Sequence, residues 1–106
     1  MEYLKTSQYI RARLAFQTLI NLYPDSKRAA DAYFAMGDSF YDEGGTENLL
    51  QAWDCYRNAI YASKGNYAAA IPRLKRIIDN YPNFSHYAEA KQLYEASQQY
   101  QQASQK

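Results

Sequence analysis

One histidine, one cysteine and a few spaced carboxylates are where chemistry would have to start in this 106-residue chain. General acid–base work needs a titratable group within reach of a second polar group. His86 falls in a turn ahead of the last helical segment, with no Ser, Cys or carboxylate at a spacing that builds a catalytic set. It reads as a solvated turn residue. Cys55 lies among Trp53, Asp54 and Tyr56 in a helical stretch, where a free cysteine behaves as a small apolar side chain. One cysteine makes no internal disulfide, and no metal-ligand spacing of Cys or His exists. Gly44-Gly45 lacks the Lys-Ser/Thr of a phosphate loop. No catalytic set, cofactor site or metal site emerges, so the chain reads as non-enzymatic.

Two charged groupings remain. Asp31, Asp38 and Asp42 recur at helical spacing. Arg73, Lys75 and Arg76 cluster on another helix, with Arg73 and Arg76 pointing away from Leu74 and Ile77. Arg11 and Arg13 flank Ala12 and read as the polar side of the first helix. The formal net charge is only +1, so no broad field favours nucleic acid or anionic lipid. The basic cluster reads as an outer, solvated face.

The elements that position these residues follow from periodicity. Val is absent, and the β-branched set is six Ile and three Thr, which argues against sheet. Ala, Leu, Gln, Lys, Arg and Glu are plentiful and favour helix. Tyr9, Ala12, Phe16, Leu19, Ile20 and Tyr23 mark one helix face. Tyr67, Ala70, Leu74, Ile77, Ile78 and Tyr81 repeat that pattern with identical spacing in the second half of the chain. Both copies end in Tyr-Pro, where the proline stops the hydrogen-bond ladder. An internal repeat of this kind points to a helical solenoid.

Helices are expected at about 6–22, 26–43, 47–64, 67–80 and 85–103. Asp25-Ser26 and Ser85 are expected as N-caps, with Thr46 or Asn48 capping the third helix. Gly65 is expected as a C-terminal stop and Asn66 as a cap. Short connections make neighbours antiparallel. Gly44-Gly45 either ends a helix in a turn or bends one long helix over 26–64. Two glycines cost about 2 kcal/mol inside a helix, which favours the turn. Pro72, in the second turn of the fourth helix, is expected to kink it or loosen its start. The whole is read as all-α, a single domain over 1–106 with a polar C-terminal helix extension at 96–106 that frays unless covered.

These residues resemble the tetratricopeptide repeat. Tyr33, Met36-Gly37, Phe40-Tyr41 and Gly44 are similar to its first helix, and Ala52, Tyr56 and Ala59-Ile60 to its second. Lys64 stands where the motif closes with Pro, and the stretch from Gly44 to Ala52 is about three residues longer than usual. Two envelope groups within this superfamily resemble the chain over about residues 9–96. One is the repeat-bearing lipoprotein of the outer-membrane β-barrel assembly machine, through Ala12–Gln17, Tyr23–Ser26, Lys64–Ile71 and Asn80–Pro82. The other is the periplasmic coordinator of the Tol–Pal system, through Ala29–Gly37.

The resemblance implies a short tetratricopeptide-like α-solenoid that binds a protein or peptide in the periplasm, associated with the outer membrane. By the motif register, Asp31, Phe34, Asp38 and Tyr41 would line the concave face. Two of these four are Asp, which disfavours a partner's free C-terminal carboxylate and favours Lys or Arg beside an apolar anchor. No cofactor is implied. The N-terminus has no apolar signal stretch, and Cys55 is not a lipidation cysteine, so an envelope parent would be represented by an internal piece. No apolar run reaches the length of a membrane span.

Eleven of the twelve tyrosines, all but the repeat-motif Tyr56, divide on the same basis. Tyr9, Tyr23, Tyr67 and Tyr81 are expected to pack along the repeated face. Tyr3, Tyr33, Tyr41, Tyr61, Tyr87, Tyr94 and Tyr100 exceed what a core this small absorbs, so some are expected at an interface. The alternative to an adaptor is a scaffold, natural or engineered, whose main activity is self-association as a homo-oligomer.

Overall fold

The computed structural model describes residues 2–63 and 67–104, with side chains over 7–62 and 67–103. The expected stop at Gly65, the expected cap at Asn66, the Lys64 position and the Tyr3 side chain lie outside the described residues. Five helices and no strand occur among those described: α1 (Glu2–Leu22), α2 (Lys27–Glu43), α3 (Thr46–Ser63), α4 (Tyr67–Asn80) and α5 (Tyr87–Ser104). This is an all-α, tetratricopeptide-like helical repeat, as expected. The chain divides into two compact units, Met1–Lys64 and Gly65–Lys106.

The repeat is visible in the hydrogen bonds that end α1 and α4. The Tyr23 N–H donates to the Leu19 carbonyl at 3.0 Å, and the Tyr81 N–H to the Ile77 carbonyl at 2.9 Å. These pairs occupy equivalent positions in the two copies of the pattern. Each helix stops there because Pro24 and Pro82 have no N–H with which to continue.

In the first unit, Ser26 caps α2: its Oγ accepts from the Ala29 N–H at 3.2 Å. Gly44-Gly45 forms a turn, not a bend. Gly44 has φ 86° and ψ 172°, and its N–H closes α2 on the Phe40 carbonyl at 3.1 Å. Gly45, at φ 95°, supplies the carbonyl that accepts from Leu49 N–H, so it holds the N-cap position of α3. Neither expected cap holds that place. Thr46 is already helical, and the Asn48 amide donates back to the Gly44 carbonyl at 2.7 Å. α1 and α2 pack as an antiparallel pair around Ile20, Ala29, Ala32 and Met36, with Cys55 of α3 and flanking Phe16, Tyr33 and Phe40.

In the second unit, α4 buries Ala70, Leu74 and Ile77. It runs through Pro72 unbroken. Proline removes a donor from the early turns of the helix, and here the Arg73 guanidinium donates to the Ala69 carbonyl at 2.7 Å. α5 starts later than expected: Ala90 N–H donates to the His86 carbonyl at 2.9 Å, so His86 rather than Ser85 sits at the N-cap. The polar C-terminal extension is tied down within this unit. Ser97 is fully buried, with its Oγ donating to the Leu93 carbonyl at 2.6 Å, and Tyr100 stacks on Tyr67 at 5.1 Å.

The tyrosines divide only partly as expected. Tyr56 is the one with no exposure among the described residues. Tyr23 and Tyr81, expected to pack, are 43% and 39% exposed because they follow the last turn of their helices. Tyr61 and Tyr100 are also exposed.

Candidate functional site

Four residues were expected to share a face of α2, and packing distributes them. Phe34 is buried against Tyr56, ring centroids 6.3 Å apart. Half-buried Asp38 accepts a hydrogen bond from the Tyr56 hydroxyl at 2.7 Å. Tyr41 is half-buried. Asp31 is exposed and lines a different feature, the cleft between α1 and α2.

That cleft is open, of about 470 Å³, lined by Phe16, Leu19, Arg28, Asp31, Ala32 and Ala35. Its origin is steric. Ala32 and Ala35 are short, so α2 presents a shallow trough to α1 that Phe16 and Leu19 wall without filling. The charged groups stand at its mouth. Arg28 lies over the Tyr23 ring at 5.1 Å, a cation–π contact that holds it toward the end of α1. Asp31, one turn further along α2, pairs with no described residue. The trough therefore offers an apolar floor with a carboxylate beside it, which suits an apolar side chain next to a cation.

Sequence reasoning missed Arg13. It does not belong to a solvated side of α1. Its Nε donates to Ser39 Oγ at 3.0 Å, and its Nη2 pairs with the Glu43 carboxylate. The guanidinium lies 3.9 Å from the Phe40 ring centroid and 5.4 Å from that of Tyr9. One arginine thereby joins the middle of α1 to the last turn of α2. The Tyr9–Arg13 spacing of four was the only local hint, and Glu43 stands at the far end of the next helix.

Burial, then the Asp54 charge, raise the Cys55 pKa to about 11, against a smaller opposing effect of Arg13, so the thiol stays protonated. His86 does have a carboxylate neighbour, Glu89, at 2.8 Å, on the surface. Lys75 pairs with Asp79 at 2.7 Å, a contact that pushes its pKa up. Arg73 and Arg76 are half-buried rather than solvated. No group of three or more His, Cys, Asp or Glu able to hold a metal occurs among the described residues. No helix among them is long and apolar enough to cross a membrane.

A family model described as YfiO, outer membrane lipoprotein, matches residues 2–106. No curated protein and no solved structure matches the chain.

Proposed function

We propose, from the premise that the chain belongs to the outer membrane lipoprotein family YfiO, that it is a non-enzymatic adaptor that holds a protein segment during outer-membrane protein assembly. The work takes place at the periplasmic side of the outer membrane. The observation that carries this reading is the α1–α2 cleft, an apolar trough with exposed Asp31 at its mouth. An apolar side chain of the partner sits against Phe16, Leu19 and Ala35, and a neighbouring Lys or Arg meets Asp31. Unlike charges set the register of such a contact more than its strength. Asp38 contributes through Tyr56, by fixing the α2–α3 pairing that holds the cleft-bearing helix in place.

Asp31→Lys tests the reading, because Asp31 is exposed and its replacement leaves the core intact. The probe is a fluorescent peptide with one Leu flanked by two Lys, compared with the same peptide carrying Glu. The lysine peptide should bind the parent chain, and Asp31→Lys should weaken it by about tenfold, about 1.4 kcal/mol. Equal binding of both peptides, or no effect of Asp31→Lys, overturns the assignment of the cleft.

A further inference from the structure

Arg28 and Asp31 stand at i and i+3 on α2, a spacing at which opposite charges pair on a helix. They do not pair with each other. Arg28 is turned onto the Tyr23 ring, at 5.1 Å from its centroid. Both residues are exposed, and neither makes an ion pair with any described residue. A ring face attracts the charge of a guanidinium but occupies none of its N–H donors, so its edge stays open to a carboxylate.

The second copy of the repeat shows the alternative. The equivalent residues there are His86 and Glu89, and these hold each other at 2.8 Å. Leu93 stands where Ala35 leaves the first trough shallow. Separate charges and a small residue beside them are thus not a requirement of the repeat. They belong to the copy that bears this cleft.

α2 fixes the order of these groups. From the apolar floor at Ala35 outward, Asp31 follows after about 6 Å of helix and Arg28 after about a further 4.5 Å. A partner helix laid along the trough antiparallel to α2 presents its positions i, i+4 and i+7 at the same two steps. Same-face residues of an extended strand recur about every 6.7 Å and overshoot the second step.

We infer that the segment held in this cleft is a helix with an apolar residue, a Lys or Arg four residues on and an Asp or Glu seven residues on, the base meeting Asp31 and the acid meeting Arg28. This rests on the cleft being the docking site, and adds to it an acidic group and a polarity. A segment with the two charges exchanged sets like charge against like at both places, which is how a site rejects a wrong partner.

Two fluorescent peptides test this, each with one Leu in the middle of an Ala-rich helical host. The first carries Lys at +4 and Glu at +7 from the Leu. The second has the two exchanged, so composition and net charge are identical. The parent chain should bind the first about tenfold more tightly. A chain carrying both Arg28→Asp and Asp31→Arg should reverse the preference, with circular dichroism reporting its helix content. Arg28→Gln, a single exposed change, should reduce the preference to about threefold or less. Equal binding of the two peptides by the parent overturns the inference. The cleft itself still stands in that case if Asp31→Lys weakens the peptide of Leu flanked by two Lys. Binding of neither peptide overturns the inference and the cleft assignment together. An unchanged preference in Arg28→Gln, or in the exchanged chain when folded, also overturns the inference.

Discussion

A Cβ placed on Gly37 would lie 2.5 Å from Cε1 of Tyr56 and 2.8 Å from its Cδ1. The close approach of α2 to α3 depends on hydrogen at that one position. Tyr56 cannot yield, because it has no exposed surface and its hydroxyl is held by Asp38 at 2.7 Å. Cys55 Cβ closes the other side at 3.2 Å. Phe34 packs on the same ring. A glycine, a tyrosine, a phenylalanine and a carboxylate thus form one joint between the two helices.

Gly37→Ala should therefore destabilise the first unit by overpacking, at about 1–3 kcal/mol. Urea denaturation followed by Trp53 fluorescence measures it. Tyr56→Leu in the same chain removes the obstructing ring, so the alanine should cost less in that background. Equal costs in the two backgrounds would show that the ring is not the obstacle.

Gly44→Ala should act through the backbone alone. No atom lies within 4 Å of a Cβ built on Gly44, yet its φ of 86° and ψ of 172° belong to a region that residues with a Cβ rarely enter. A loss of about 1–3 kcal/mol in urea denaturation is expected. In contrast to Gly37, no substitution of a neighbouring side chain should relieve it. A neutral Gly44→Ala would mean that the turn accepts other backbone angles.

The contrast between the two glycines also explains which parts of the structure were legible in the chain. Helix ends are local events. Tyr23-Pro24, Tyr81-Pro82, Ser26 and Gly44 each act through neighbours within about one helical turn, and their types announce it. The cap of α3 falls one residue earlier than expected because Gly45 and Thr46 can both serve, and only the dihedral angles separate them. The side of α2 facing a partner was harder. Asp31, Phe34 and Asp38 fall on one arc of a helical wheel, but α3 supplies Tyr56, which takes up Phe34 and Asp38 and leaves Asp31 to the cleft. Arg13 was illegible for the same reason: its partners Ser39 and Glu43 are remote in sequence.

Arg13→Lys should be nearly as damaging as Arg13→Ala. The Arg13 and Glu43 side chains retain only 17% and 25% of their exposure. The fork of the guanidinium serves Ser39 Oγ and Glu43 at once while its plane lies against Phe40. A lysine ammonium is a point donor and cannot do all three. A loss of about 2 kcal/mol is expected for alanine, with lysine recovering less than half. Thermal unfolding of the three chains decides, and full recovery by lysine would reduce the contact to a simple charge pair.

Cys55 should make the fold sensitive to alkali. The folded thiol has its pKa raised from 9.0 to about 11, by burial first and by the Asp54 charge second. A raised pKa in the folded state means that the unfolded chain loses its proton first as pH rises. Stability from this group is thus fully present below about pH 9 and is lost progressively between about pH 9 and 11. The slope rises toward a limit of about 1.4 kcal/mol per pH unit within that window. Cys55→Ala should remove this component of the alkaline slope. The thiol should also react with a disulfide reagent far faster in urea than in the folded chain at pH 8, because the thiolate is the nucleophile. Arg13 is the one neighbour among the described residues that lowers this pKa. In Arg13→Ala, native-state reaction should slow further wherever the fold persists. Faster reaction in that variant would instead report local opening of α1 from α2, and urea dependence of the rate separates the two outcomes.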